Sequence, residues 1–311
     1  MPSQVTGQGP QRSGLLLVAL GASLWGLDTV LRRPLTGDLS SSTIVFYEHV
    51  LLSLIFVPYL VFNRRSLSGL GLASWAAVLW IAWGGSALGT IFYTQAIKVG
   101  NPTSAVFVQK LQPLFAVALA HWWLGEKEPL RAGFWLRLGV AFFAAYLISF
   151  GGPTSWNGLG DGETVAALWA VGAAVIWGSC TVVGRYAMPV VSPTLLTALR
   201  VTIALPLLWV LTLAGGPGSG AGLPEVQQWG RLVLMALLPG FLSLMIYYRG
   251  LARTPASLAT VGELCFPATA AALNWAFLGT EITAVQGFGV ALLWFAVLWP
   301  RKSIAAAHVD T

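Results

Sequence analysis

A chain of 311 residues, 56% hydrophobic and only 9% charged, departs far from the roughly 25% charge of a soluble domain, and its polar stretches are too short to hold one. The net charge of +6 is scattered over short connectors, which excludes a nucleic-acid surface. Two cysteines, Cys180 and Cys265, both in apolar runs, exclude a disulfide or metal framework.

The first 13 residues are polar with one charge, Arg12, and the apolar run that follows carries no small-residue cleavage site, so a retained first helix is expected. A span needs about 20 mostly apolar residues to cross a hydrocarbon core of about 30 Å. Turn signals and charges predict ten such spans, at 14–33, 41–62, 74–97, 103–124, 132–150, 164–184, 192–213, 228–250, 256–279 and 282–299. The connectors "GNP" at 100–102 and "TEI" at 280–282 demand tight helical hairpins. The runs lack alternation and are too long for barrel strands.

Basic residues near span ends set the direction. With the N-terminus inside, Arg12, Arg64, Arg65, Lys127, Arg131, Arg185, Arg249, Arg253, Arg301 and Lys302 lie on the cytoplasmic side, against Arg32, Arg33, Lys98 and Arg231 outside. Both termini are therefore expected inside. Arg137 and Arg200, a little way into spans, are expected to snorkel inward.

The halves repeat. Trp25, Gly26, Thr29, Val30 and Arg33 match Trp177, Gly178, Thr181, Val182 and Arg185 at a displacement of 152. Pro113 matches Pro267, Leu124-Gly125 matches Leu278-Gly279 and Gly133 matches Gly287 at 154. Five spans per half mean that the second half enters from the opposite face, the inverted repeat of many secondary transporters. The predicted organisation is a cytoplasmic tail at 1–13, a first five-helix repeat at 14–150, an outer linker at 151–163, a second repeat at 164–300 and a cytoplasmic tail at 301–311.

The paired Trp-Gly motifs, "NPTSAVFVQKLQPLFAVALAHWWLGEKEP" and its looser second copy "TPASLATVGELCFPATAAALNWAFLGTEIT" resemble the EamA-type drug/metabolite transporter superfamily over essentially the whole chain. The resemblance is greatest to the YddG-like amino acid exporter branch. It implies an all-α integral membrane protein of ten transmembrane helices, two inverted five-helix repeats around a central cavity, in a bacterial inner membrane. Two positions depart from the family pattern: His49 is aligned with Arg200, where the family often has arginine in both repeats, and Thr280 replaces the turn glutamate present as Glu126.

Ionisable residues at membrane depth are functional candidates, because burying them costs several kcal/mol unless they are paired or hydrated. Lys110, Glu48 and Glu263 each lie seven residues into a span, roughly 10 Å deep at 1.5 Å per residue; Asp28 lies near the outer end of the first. Pro113 and Pro267 free the carbonyls of Gln109 and Glu263, which are repeat mates, since 109 plus 154 is 263. Such groups need protein or cavity water, which points them inward. Gln109 and Gln112 share a helix face.

Two readings follow. Lys110 and Glu48 form a structural salt bridge, or Lys110 meets the carboxylate of a zwitterion while Glu48 or Glu263 meets its ammonium. The repeat mates Trp25 and Trp177, with Tyr93 and Tyr247, either wall a substrate pocket or simply pack. The candidate substrate-binding set is Lys110, Gln109, Gln112, Glu48, His49, Trp25, Tyr93, Trp177, Tyr247 and Glu263. There is no HExxH pair and no P-loop, so neither an enzyme nor an ATP-driven pump is expected. No metal or cofactor is implied, and no obligatory protein partner. The function expected is secondary transport of small metabolites by alternating access, foremost export of amino acids, aromatic or otherwise neutral, with protons as optional co-substrates. The alternative keeps the fold and changes the cargo to cationic drugs, sugar-phosphates or nucleotide-sugars.

Overall fold

The computed structural model describes residues 8–100, 102–127, 132–150, 161–214, 222–278 and 283–298, and every element there is helical. Residues 1–7, the linker up to 160, Arg131, Thr280, Trp299 and the C-terminal tail with Arg301, Lys302 and His308 lie outside the described residues.

The first six helices are α1 (Gln8–Arg32), α2 (Ser41–Phe62), α3 (Leu72–Val99), α4 (Pro102–Gln109), α5 (Gln112–Leu124) and α6 (Ala132–Phe150). The next six are α7 (Asp161–Ala187), α8 (Pro193–Ala214), α9 (Val226–Leu251), α10 (Ala256–Glu263), α11 (Phe266–Leu278) and α12 (Ala284–Leu298). The second six follow the first in kind and order: α2 and α8 each have 22 residues, α4 and α10 each 8, and α5 and α11 each 13. Stretches from α1, α2, α3, α7, α8 and α9 are each long and apolar enough to cross a membrane, while α6 and α12 are shorter apolar helices.

Local chemistry explains the ends. Ser40 caps α2, its hydroxyl accepting from the Thr43 N–H at 3.1 Å, as an N-cap serine should. Glu225 and Gln228 form a reciprocal capping box at the start of α9. Gly125 takes φ 64° just past α5, a left-handed stop that glycine adopts without a Cβ penalty.

The runs at 103–124 and 256–279, expected as single helices, are each broken in two. α4 ends at Gln109 and α5 starts at Gln112; α10 ends at Glu263 and α11 starts at Phe266. Pro113 and Pro267 therefore sit in the first turn of a new helix, where a missing N–H costs nothing. The breaks are bridged by tight turns, with Lys110 N–H donating to Phe107 O at 2.9 Å and Cys265 N–H to Gly262 O at 3.1 Å.

A second departure had no sequence signal. The middle of α3 (Trp80–Gly89) and of α9 (Ala236–Leu242) is π-helical. These segments overlap at the 154-residue displacement, and such wide turns recur at functional sites.

Close packing relies on small residues. α1 lies against α9 and α10, and a Cβ at Gly250 would fall 2.6 Å from Gly14 O. α2 packs on α8 and α6 on α12. Arg137 does not snorkel: it is buried and donates to the last carbonyls of α12, those of Ala296 (2.6 Å) and Val297.

Candidate functional site

The helix breaks and the π-helical segments converge on one cavity. All ten sequence candidates line it: Trp25, Glu48, His49, Tyr93, Gln109, Lys110, Gln112, Trp177, Tyr247 and Glu263.

A hydrogen-bonded chain joins the two breaks. Gln109 Nε2 donates to Gln112 Oε1 at 2.6 Å, and Gln112 Nε2 donates to Glu263 Oε2 at 2.6 Å. The other carboxylate oxygen of Glu263 accepts from Tyr247 Oη at 2.6 Å and Thr181 Oγ1 at 3.2 Å. Glu263, 3% exposed, is thus held by three donors from three helices. These side chains line the cavity, where buried polar groups can be satisfied.

Aromatic walls flank this chain in a crossed arrangement. Trp25 of α1 lies against Tyr247 of α9, ring centroids 5.0 Å apart, and Trp177 of α7 lies against Tyr93 of α3 at 5.4 Å. Each pair takes its tryptophan from one half and its tyrosine from the other. The tyrosines are set by mates as well: Tyr93 Oη bonds Thr29 at 2.6 Å and Tyr247 Oη bonds Thr181 at 3.2 Å. Trp177 additionally donates from Nε1 to Gly85 O at 2.8 Å, a carbonyl in the π-helical segment of α3. The glycine of the second Trp-Gly pair is needed for packing, since a Cβ at Gly178 would lie 2.8 Å from Gln112 O.

The charges are arranged otherwise than the sequence suggests. Glu48 does not pair with Lys110. Its Oε2 meets Arg32 at 2.7 Å, and Arg32 also grips both oxygens of Asp28 at 2.7 Å. Arg32, read from sequence as an outer-side topology marker, is 1% exposed and a cavity residue. Adjacency to Arg33 and Pro34 disguised it; the 28–32 spacing, one helical turn, was the available signal.

Lys110 is 5% exposed, with its ammonium 4.1 Å from the centroid of the Phe266 ring, a cation–π contact. Arg200 does not snorkel either. It lines the cavity, donating from Nε to Ser86 Oγ and from Nη1 to Tyr248 Oη, both at 2.7 Å. No described carboxylate forms an ion pair with Lys110 or Arg200. α2 and α8 begin 152 residues apart, one more than the 151 that aligns His49 with Arg200, so Glu48 and His49 both lie within one residue of the position that corresponds to Arg200. His49 sets its Nδ1 2.8 Å from Val45 O. A carbonyl only accepts, so Nδ1 carries hydrogen.

Outside the cavity, the Leu-Gly-Glu turn has a defined role. The Glu126 carboxylate accepts from the backbone N–H groups of Ala256 (2.7 Å) and Ser257 (2.9 Å) and from Ser257 Oγ (2.5 Å). It caps the start of α10 from the other half of the chain.

The arrangement offers a polar, aromatic-walled chamber. Among the described residues no group of three or more His, Cys, Asp or Glu side chains is placed to hold a metal. Comparison with known proteins agrees with a carrier. The profile of the EamA-like transporter family matches residues 12–150 and again 164–299. The riboflavin transporter ImpX of Fusobacterium nucleatum is 30% identical over 281 residues, 88% of this chain and 92% of that protein. The uncharacterized transporter YwfM of Bacillus subtilis is 24% identical over 71% of this chain and 73% of its own. A crystal structure at 18% identity superposes with a TM-score of 0.72 over 92% of this chain and 95% of its own, a likeness of fold.

Proposed function

The chain belongs to the EamA-like transporter family and is a multi-pass membrane transporter of small molecules rather than an enzyme; from that premise we propose that it carries an aromatic metabolite by alternating access. In this reading the broken pairs α4–α5 and α10–α11 each make one span. That gives ten spans in two inverted repeats, with both termini on the cytoplasmic side of a bacterial inner membrane. The twofold family match and the like order of helices support it.

The observation that carries the substrate reading is the crossed pairing of Trp25 with Tyr247 and Trp177 with Tyr93. Each wall is built from both halves, so a movement of one half against the other opens or closes the walls around a flat ring. Gln109, Gln112 and Glu263 supply directional polar contacts between them. Amino acids, aromatic or otherwise neutral, are the first cargo proposed, in the direction of export, with Glu263 available to a zwitterion's ammonium group. A flavin is the second, favoured by the relative named as a riboflavin transporter.

The test is counterflow in proteoliposomes of the purified protein, with and without a pH gradient. Labelled tryptophan and riboflavin are compared with a quaternary ammonium compound and a sugar-phosphate. Saturable counterflow of an aromatic compound is expected, reduced at least about tenfold in Trp25→Ala, since an aromatic contact and its buried area together are worth more than about 1.4 kcal/mol. Counterflow of the sugar-phosphate or quaternary cation alone would sink the aromatic reading. A response to the pH gradient would add protons as co-substrate.

A further inference from the structure

We propose that Arg200, and not Lys110, is the anion subsite of the cavity, so that the cargo carries an acidic oxygen group, carboxylate or phosphate, beside its ring. The inference rests on the aromatic-substrate reading.

Three cationic side chains line the cavity, and they differ in how their charge is met. Arg32 is saturated by Asp28 and Glu48 at 2.7 Å. Lys110 has its charge met by the Phe266 ring, 4.1 Å away. Among the described residues Arg200 hydrogen-bonds to neutral groups, Ser86 and Tyr248.

Those two hydroxyls come from α3 and α9 and hold the guanidinium of α8 in a fixed orientation without neutralising it. A guanidinium has five N–H donors, of which two are used here. Nη2 has no partner among the described residues. It lies beside Gly85, where a Cβ would stand 3.3 Å away. A planar fork with free donors is the preferred receptor for a carboxylate or phosphate.

The repeat strengthens the case. At the corresponding level the first half has His49 and Glu48, the latter neutralised by an arginine of its own half. The fold therefore does not require a cation at this position, nor an unmet charge. The open charge of Arg200 is specific to the second half and lines the same cavity as the aromatic walls.

The experiment measures binding to the purified protein in nanodiscs with two matched pairs: tryptophan against tryptamine, and flavin mononucleotide against riboflavin. The acidic member of at least one pair is expected to bind at least about tenfold more tightly, the worth of one charge-assisted hydrogen bond. Arg200→Gln should erase that preference, Arg200→Lys should keep part of it, and Lys110→Gln should leave it intact even where it weakens every ligand alike. Gel-filtration profile and melting temperature of each variant exclude misfolding as the cause. The proposal is overturned if neither acidic member is preferred, if the preference survives Arg200→Gln, or if Lys110→Gln removes it. Equal binding of riboflavin and flavin mononucleotide without any for tryptophan overturns the acidic subsite and leaves the aromatic reading standing. Absence of binding by all four compounds removes both.

Discussion

Arg32 and Arg200 lie in the two halves of one cavity and have opposite surroundings. Arg32 is fully buried between Asp28 and Glu48. Arg200 is partly exposed and held by two hydroxyls. The difference teaches that charge at membrane depth has two uses. A charge closed into a triad with its partners serves the fold, because nothing is left for a ligand. A charge oriented but not neutralised is available.

Four predictions probe this contrast. The largest effect is expected for Arg32→Gln, which strands two buried carboxylates and should cost about 3–5 kcal/mol, read as loss of monodisperse protein or a steep fall in melting temperature. Neutralising the whole triad (Arg32→Met with Asp28→Asn and Glu48→Gln) should recover most of that loss, since a buried ion cluster replaced as a unit is often near neutral. If the single and triple variants melt alike, the triad is not a closed structural unit.

The next effect belongs to the capped break. α10 has its first N–H groups closed by Glu126, and Glu126→Ala should cost about 1–2 kcal/mol, a helix cap and a charged hydrogen bond together. Glu126→Gln should recover part of it. Hydrogen exchange at Ala256 and Ser257 reads the effect locally, and unchanged protection in Glu126→Ala would contradict the cap. Arg200→Gln should cost less, within about 1 kcal/mol, because the hydroxyls it leaves can turn to cavity water. A melting temperature as low as that of Arg32→Gln would erase the distinction between the two arginines.

What the sequence disclosed and what it hid follow the same division. Apolar runs, charge asymmetry and the displaced Pro113 and Pro267 made the helical membrane class legible, because they depend on segment length and on the missing proline N–H. All ten candidate residues line one cavity: the polar ones were legible from their depth in a span, the tryptophans from their mid-span position, and Tyr93 and Tyr247 as repeat mates. Pairing was not legible. Glu48 and Arg32 are 16 residues apart, and Arg200 and Ser86 are 114 apart, so only tertiary contact decides which cation meets which acid. The π-helical turns of α3 and α9 were equally hidden, since one extra residue per turn leaves no mark on an already apolar run.

The smallest expected effect separates the two tryptophans. They are repeat mates and each packs on a tyrosine of the opposite half, so replacement by phenylalanine removes a similar aromatic area from both. Trp177 alone donates to a carbonyl, that of Gly85, at 2.8 Å; Trp25 has no hydrogen bond to a described residue. Trp177→Phe should therefore cost about 0.5–1 kcal/mol more than Trp25→Phe, the net worth of one neutral hydrogen bond. Gly85 O lies in the π-helical part of α3, one residue from Ser86, which holds Arg200. If the Trp177 bond fixes that turn, Trp177→Phe should also weaken the ligand preference assigned to Arg200, while Trp25→Phe weakens binding of acidic and neutral ligands alike. Equal melting temperatures and equal ligand preference in the two variants would make the walls symmetric in energy as well as in position, and would leave the asymmetry of the cavity to its charges alone.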